Sequence, residues 1–302
     1  MSQEDYIKQL HELIDGSVDK FNASIPGIQE NIAMRMSVLI KDLDIDNQGN
    51  IVNNVKNLRL MGQIKQEISN IVLNKQLEAN VAEFLNKFTD VASLQNQYFK
   101  SMNKSFKPEA ILTEIRNQSI EATANSLTEA GINANVIEPV TEMLRTNITA
   151  GGSWRDLNKM VQDYILNNEK GLGALQRYTT QITNDSLNQF SAQYTYTIAD
   201  SLNYKWFIYT GSLLRTSRAF CEALVAKRYV HKSELPAIVR GDFEPFKKTD
   251  NMNPKTGLPK GMVDGTTATN FFVYRGGYNC GHQLTPTDAR FVPLDIRSRF
   301  PG

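Results

Sequence analysis

The chain has 302 residues, of which 41% are hydrophobic and 22% charged, a composition that excludes an intrinsically disordered protein. Its 33 basic and 32 acidic residues give a formal net charge of +1, which argues against a protein that coats nucleic acid along its whole length. At this length we expect about two domains, with enough residues to bury a sizeable core.

The net charge and the proportion of helix-breaking residues both change near residue 205. Residues 1–205 carry 19 basic and 24 acidic side chains, a net charge of −5, whereas residues 206–302 carry 14 and 8, a net charge of +6. The second segment also holds seven of the ten prolines and both cysteines. Because proline interrupts helices and glycine favours turns, we expect a helical body at 1–205 and a turn-rich basic module at 206–302.

Apolar residues in the first segment recur at the three- and four-residue spacing that places them on one helical face. This spacing predicts a series of amphipathic helices whose apolar faces form the core of a bundle. The body is also rich in amides, with 24 Asn and 15 Gln, which is consistent with packing against other subunits. The predicted helices cover 7–21, 28–40, 55–72, 77–88, 108–131, 136–148 and 175–202.

Two local patterns predict how these helices are joined. Ser153 and Asp156 resemble a capping box, which would start a helix just after Gly151. The aspartate-rich stretch 42–49 suggests a calcium-binding loop that would begin at Asp44 and have Gly49 at its sixth position. The twelfth position of that loop would be Val55 in place of the required glutamate. We therefore expect a polar turn between helices at 47–50.

From Trp206 onward, short aromatic runs replace the helical pattern. We expect strands at 206–209, 271–274 and 291–292, a helix within 214–228 and a long irregular loop across 241–265. No apolar run approaches the roughly 20 residues needed to span a bilayer, and the acidic start is unlike a signal peptide, so we expect no membrane segment. The predicted fold is mainly α, an elongated helical N-terminal body with a small α+β C-terminal module.

Cys280 and His282 are the most chemically informative pair in the sequence. In an extended segment, residues i and i+2 point to the same face, so both side chains can reach one ion. Cys221 and His231 would complete a Cys2His2 set, which zinc accepts in structural sites. The spacings do not match a compact zinc finger, so buried free thiols, a Cys221–Cys280 disulfide and a catalytic Cys/His pair are the alternatives. The expected cofactor is structural zinc or none.

Basic residues of the second segment are spread along the chain without a dense cluster. One interpretation is a solvated surface, and the other is electrostatic attraction to phosphates or to an acidic partner. Arg218 is a special case, because it precedes Cys221 by three residues and shares its face if that stretch is helical. The candidate nucleic-acid-binding residues are Arg218, Lys227, Arg228, Lys247, Lys248, Arg290, Arg297 and Arg299.

Three stretches of the second segment, taken in order, resemble a known family. They are 218–221 (Arg-Ala-Phe-Cys), 229–235 (Tyr-Val-His-Lys-Ser-Glu-Leu) and 276–286 (Gly-Gly-Tyr-Asn-Cys-Gly-His-Gln-Leu-Thr-Pro). This order is similar to the C-terminal module of Mu F-like head morphogenesis proteins, the minor head proteins of tailed phages. The signature that closes that module usually has an arginine where Gly281 stands here.

The resemblance implies a structural virion protein, present in few copies and associated with the portal, that acts in head morphogenesis and in DNA packaging or ejection. It implies no catalysis, so we expect the chain not to be an enzyme. Expected partners are the portal, other head and neck proteins, packaged DNA and further copies of the chain. The expected location is the virion, in the head interior or portal neck, after synthesis in the bacterial host cytoplasm.

Two alternatives to this function stay open at the level of sequence. One is an enzymatic or effector module at the C-terminus that the virion delivers. The other is a zinc-stabilised nucleic-acid-binding module.

Overall fold

The computed structural model describes residues 1–166 and 171–300. The protein is mainly α-helical, with a small antiparallel sheet towards the C-terminus, which confirms the predicted fold class. Its contacts divide it into two compact units, each built from separate parts of the chain. The first unit comprises Met1–Gly16, Asn86–Ile120 and Asn184–Gly302, and the second comprises Ser17–Leu85 and Glu121–Thr183.

The whole of segment 206–302 falls within the first unit, which also takes in parts of the predicted helical body. The division into domains 1–205 and 206–302 stays a prediction. For the experiments below, it follows that the full chain is the appropriate sample, because an isolated 206–302 fragment would lack the helices that share its unit.

The helices lie close to the predicted ranges, and most residues of the predicted apolar stripes are buried, although Val55 and Leu58 in the third stripe are exposed. In α2, for example, Ile28, Ile32 and Met36 are buried at four-residue intervals. The helices before the sheet are α1 (Gln3–Asn22), α2 (Ile25–Leu39), α3 (Val55–Val72), α4 (Lys75–Met102), α5 (Ala110–Leu127), α6 (Glu129–Ile132), α7 (Glu138–Ala150), α8 (Trp154–Ile165) and α9 (Ala174–Ser201).

The predicted helix start at Ser153 is confirmed. Its side chain accepts a hydrogen bond from the backbone N–H of Asp156 at 3.3 Å, and α8 begins at the next residue. Gly151 ends α7 in a left-handed conformation, with φ of 64°. A π-helical turn, Asn133–Ile137, joins α6 to α7, and the sequence pattern did not predict it.

Asn57 fastens the loop between α2 and α3 in the second unit. Its buried side-chain oxygen accepts a hydrogen bond from the backbone N–H of Asp44 at 2.8 Å. Its amide nitrogen donates to the carbonyl oxygens of Asp44 and Val52, at 2.9 and 2.7 Å. One side chain thus makes three hydrogen bonds to backbone groups of this loop.

The turn expected at 47–50 is confirmed, and its acidic residues are used locally. One carboxylate oxygen of Asp46 accepts hydrogen bonds from the backbone N–H groups of Gln48 and Asn50, at 2.8 and 2.9 Å. The carboxylate of Asp44 forms an ion pair with Lys56. These contacts explain the aspartates as turn-forming residues.

The sheet has three strands, β1 (Trp206–Thr210), β2 (Tyr229–His231) and β3 (Gln283–Thr287), in the order β2-β1-β3. Both pairings are antiparallel, and Trp206 lies opposite His231 on one side and Thr287 on the other. Because side chains alternate along a strand, His231 shares the face of Trp206, whereas Tyr209 points to the opposite face.

Two predicted strands of this segment are wrong. Phe271–Tyr274 is a single helical turn, α12, in which both phenylalanines are buried. Residues 289–291 form a 3-10 turn in place of the strand expected at 291–292. Aromatic runs are typical of strands, but tertiary packing can determine the local conformation instead. Here the ring of Phe272 stacks on Tyr196 with centroids 4.1 Å apart.

Strand β3 was not predicted, since Pro286 removes a backbone donor. The strand lies at an edge of the sheet, where a proline is tolerated. The irregular loop expected across 241–265 is confirmed, with an isolated bridge between Met252 and Pro259. The remaining helices are α10 (Ala219–Lys227), α11 (Leu235–Val239) and α13 (Leu294–Arg297).

Among the residues that the structure describes, no helix combines the length and the apolar character needed to cross a membrane.

We expect Asn57→Ala to lower the free energy of unfolding by about 3 kcal/mol, because it removes three hydrogen bonds between a buried side chain and the backbone of the loop. Urea denaturation followed by circular dichroism measures the change. The matched control is Asn53→Ala in the same loop, an exposed residue whose substitution should change stability by less than about 0.5 kcal/mol. Equal effects of the two substitutions would contradict the role of Asn57.

Candidate metal centre

Three of the four predicted metal ligands converge in the first unit. The sulfur atoms of Cys221 and Cys280 and a ring nitrogen of His282 all lie within 4.8 Å of one another. The Cys280 sulfur is 3.7 Å from Nδ1 of His282, as the i, i+2 spacing predicts. The three residues are only 2, 9 and 6% exposed. Both cysteines are free thiols, so the structure does not contain the alternative disulfide.

Helix packing positions one of the ligands, and strand pairing positions the other two. Cys221 lies in α10, whose buried face also contains Phe220 and Leu224. Cys280 and His282 lie in the loop that leads into β3. Pairing of β3 with β1 therefore fixes the end of this loop, and packing of α10 fixes the other half of the cluster.

Arg218 ties the two halves together. It occupies the N-cap position of α10, and its guanidinium donates hydrogen bonds to the carbonyl oxygens of Gly276 and Tyr278 at 2.6 and 2.7 Å. Those carbonyls belong to the loop that carries Cys280. The residue predicted to contact nucleic acid thus holds the metal-ligand loop against the helix that carries Cys221.

The fourth predicted ligand, His231, lies outside the group. Its ring packs on Trp206 and Phe300, with centroid distances of 4.8 and 4.9 Å. Its Nδ1 is 2.7 Å from the hydroxyl oxygen of Ser233, in the turn that follows β2. Burial lowers the pKa of His231, the adjacent charge of Lys205 acting in the same direction. The structure explains His231 as a turn-capping side chain.

Hydrogen bonding between the two thiol groups shifts their pKa values in opposite directions. The hydrogen bond to Cys280 and then burial raise the pKa of Cys221, so this thiol keeps its proton. The same hydrogen bond lowers the pKa of Cys280, and the hydrogen bond with His282 and the charge of Arg275 lower it further. The pKa values of the two cysteines therefore move in opposite directions within one buried pair.

Arg275 is the buried cation whose charge acts on Cys280. It is 2% exposed and donates hydrogen bonds to the carbonyl oxygens of His282 and Phe272. Its second terminal nitrogen, Nη2, has no hydrogen-bond partner within the described part of the chain. A buried cation is costly unless its surroundings compensate its charge, and the charge of Arg275 lowers the pKa of the Cys280 thiol.

Tyr209 and His11 border the cluster as well. The Tyr209 ring stacks on the His282 ring, with centroids 5.3 Å apart and an interplanar angle of 15°. Burial raises the pKa of Tyr209, and electrostatic interaction with Cys280 raises it further. Burial lowers the pKa of His11, and the charge of Arg275 also lowers it.

No sequence motif points to Tyr209, Arg275 or His11 as neighbours of the cluster. Tyr209 could have been found, because it lies two residues after Phe207 and therefore shares its face of a predicted strand. Arg275 and His11 carry no comparable signal. An arginine beside two glycines is ordinary for a surface turn, and a lone histidine on a helix is ordinary too.

Most of the candidate nucleic-acid-binding residues have partners within the fold. Lys227 forms an ion pair with Glu234 at 2.7 Å in which both side chains are mostly buried. Arg290 pairs with Asp288 at 2.8 Å. Lys248 pairs with Asp242, the Arg228 guanidinium lies over the Tyr229 ring, and Arg297 and Arg299 donate to the carbonyl oxygens of Ala289 and Asp295. The exposed members of the set are Arg228, Lys247, Lys248, Arg290 and Arg299.

Two thiol groups and an imidazole form a donor set for thiophilic metals, zinc among them. The cluster is closed to solvent, so it suits a structural ion better than a reaction that needs substrate access. Comparison of the chain with protein-family models, curated proteins and solved structures finds no match.

We expect Gly276→Ala to disrupt the cluster, because an added Cβ would lie 2.0 Å from the Cys280 sulfur and 3.1 Å from the Cys221 sulfur. The free energy of unfolding should fall by about 2–3 kcal/mol, as in other overpacked cores. Gly281→Ala is the matched control, since its added Cβ meets nothing within 4 Å. Denaturant titration of both variants measures the difference, and a stable Gly276→Ala protein would contradict the packing described.

Proposed function

We propose that the chain is a structural virion protein of a tailed phage, a portal-associated minor head component that acts in head morphogenesis and in DNA packaging or ejection. The proposal comes from the resemblance to Mu F-like proteins. One observation supports it most: residues from the first and third resembling stretches are those that contact one another in the fold.

The contacts between these stretches involve few residues. Arg218 and Cys221 come from the first stretch, and Gly276, Cys280 and His282 from the third. Arg218 bonds the Gly276 carbonyl, and the two sulfurs and the imidazole form one cluster. A sequence signature whose members meet in space is better explained by a shared module than by chance similarity.

The proposed role is not enzymatic. Cys280 and His282 are buried, and the acid–base pair that a Cys/His nucleophile needs is here engaged with a second thiol. DNA contact belongs to the same proposal through the exposed basic residues of the segment, whose net charge of +6 attracts phosphate.

Zinc is the ion we propose for the cluster, with Cys221, Cys280 and His282 as its protein ligands. The donor types fit, and their convergence within 4.8 Å makes only small side-chain movements necessary. When bound, the ion would supply a cross-link between α10 and the loop before β3. The protein's own part is to hold this loop in place through Arg218 and Arg275.

The virion assignment predicts that the full chain co-purifies with phage particles. Mass spectrometry of gradient-purified virions should detect it at few copies per particle, and inactivation of its gene should reduce the yield of DNA-filled heads. Absence of the chain from purified virions, with the protein present in the infected cell, would overturn the assignment. Virions that contain it yet form normally without it would restrict its role to delivery.

The zinc assignment predicts about one zinc ion per full-length chain, measured by competition with a fluorescent chelator under reducing conditions. His282→Gln should weaken binding by more than about 100-fold, because it removes a ligand. His231→Gln is the matched control and should bind zinc like the wild type. A wild-type chain that binds no zinc, or equal losses in the two variants, would contradict the proposed centre.

A further inference from the structure

A pocket of about 530 Å³ lies within the first unit, between one face of the sheet and the ends of α1 and α4. Ile208 of β1 and Tyr229 of β2, which lie opposite each other in the strand register, line it from the sheet. Ile7 lines it from α1 and Met102 from α4. A cavity of this volume is in the range of pockets that hold small ligands.

Two arginine–aromatic pairs from distant parts of the chain line this pocket. They are Arg228–Tyr229, at the start of β2, and Arg290–Phe291, in the turn that follows β3. Both arginines are exposed, and Phe291 is 69% exposed. Ile208, by contrast, is buried. The pocket therefore combines an apolar floor with a rim of cationic and aromatic side chains.

Four charged side chains line the pocket, and two of them neutralise each other. Arg290 pairs with Asp288 at 2.8 Å. The guanidinium of Arg228 lies over the Tyr229 ring, 5.8 Å from its centroid, and has no carboxylate partner among the described residues. Glu4 is the fourth charged residue. Arg228 is thus the cation available to an anionic ligand, and Glu4 is the charge that would oppose such a ligand.

The backbone at Arg228 adopts a conformation that favours glycine, with φ of 64° and ψ of −60°. Two hydrogen bonds hold it there. Its N–H donates to the Leu224 carbonyl oxygen at 2.9 Å, and its own carbonyl oxygen accepts from the Tyr209 N–H at 2.8 Å. Residues held in such conformations cluster at binding sites. An arginine kept at a position that suits glycine indicates a function for its side chain.

We propose that the pocket binds one nucleotide of single-stranded DNA, with the base against Phe291 and the apolar floor and the adjacent phosphate at Arg228. This inference rests on the DNA contact proposed above and assigns that contact to a site. The ligand must carry a flat apolar group next to an anion, and a nucleotide has both. Bases of any kind stack on aromatic side chains, and a phosphate accepts charge-assisted hydrogen bonds from arginine.

Strand preference distinguishes this pocket from a general attraction to phosphate. A duplex has the higher density of charge, so a surface that only attracts phosphate binds a duplex at least as tightly as a single strand. A base inside a duplex is stacked between its neighbours and cannot enter the pocket. The pocket therefore predicts that single-stranded DNA binds more tightly than a duplex of the same sequence.

Fluorescence anisotropy of the full chain measures this preference with a labelled oligonucleotide of about 16 nucleotides, single-stranded or annealed to its complement, at one low salt concentration. Arg228→Gly and Phe291→Ala should each weaken single-strand binding about 10-fold, because one removes the cation and the other the stacking ring. The thermal midpoint of Arg228→Gly should equal or exceed that of the wild type, since glycine adopts this backbone conformation without strain. Glu4→Gln should strengthen binding.

Two matched controls lie outside the pocket lining. Arg215→Ala removes the same charge from another exposed arginine of the segment and so measures the general attraction. Leu294→Ala truncates an apolar side chain that is also 69% exposed. Each should weaken single-strand binding less than about 2-fold. A single strand that carries 5-iodouracil should cross-link on irradiation to residues of the pocket lining, identified by mass spectrometry.

Each result bears on a different part of the proposal. A chain that binds neither form of DNA overturns both this inference and the proposed DNA contact, whereas the virion assignment is decided by the particle analysis. A chain that binds the duplex as tightly as the single strand overturns the pocket and leaves a general attraction to phosphate. Equal losses in Arg228→Gly and Arg215→Ala, or in Phe291→Ala and Leu294→Ala, overturn the pocket too, as do cross-links found only outside its lining.

Discussion

The hydrogen bonds of the buried Arg275 guanidinium hold together the loop that carries Cys280 and His282. It donates to the carbonyl oxygens of Phe272 and His282, so it spans the loop from α12 to the start of β3. Its charge also lowers the pKa of Cys280 within that loop. The loop conformation, the placement of its ligands and the lowered pKa of Cys280 thus all involve Arg275. Loss of Arg275 would leave two carbonyl oxygens without these donors and would remove a charge that favours deprotonation of Cys280.

The sequence allowed the helices and half of the cluster to be predicted, because both depend on local spacing. Four-residue apolar intervals define α2, and i, i+2 spacing brings Cys280 to His282 within 3.7 Å. The error over His231 is of another kind. The distance of His231 along the chain from the other ligands carries no information about which sheet face it occupies. Its pairing with Trp206 places its side chain on the face opposite to that of Tyr209. Only the strand register determines that face.

The aromatic segments show the same limit. Phe271 and Phe272 are adjacent, buried and aromatic, a pattern that predicts a strand, yet they form a helical turn. The rings contact Phe220 and Tyr196, which are distant in sequence, so tertiary packing overrides local preference. Conversely, Gln283–Thr287 forms a strand despite Pro286 because the edge of a sheet does not need every backbone donor.

A metal ion would act on this architecture chiefly through chain connectivity. Cys221 and Cys280 are 59 positions apart, and the irregular loop 241–265 lies between them. Because the entropy lost on closing a loop grows with its length, a cross-link at these positions would restrict the unfolded chain substantially. The segment in question has a three-stranded sheet and short helices, so it has little regular structure to hold that loop closed by itself. Burial of the cluster follows from the same requirement, since a cross-link that water could reach would be exchanged more easily than one enclosed by α10 and β1.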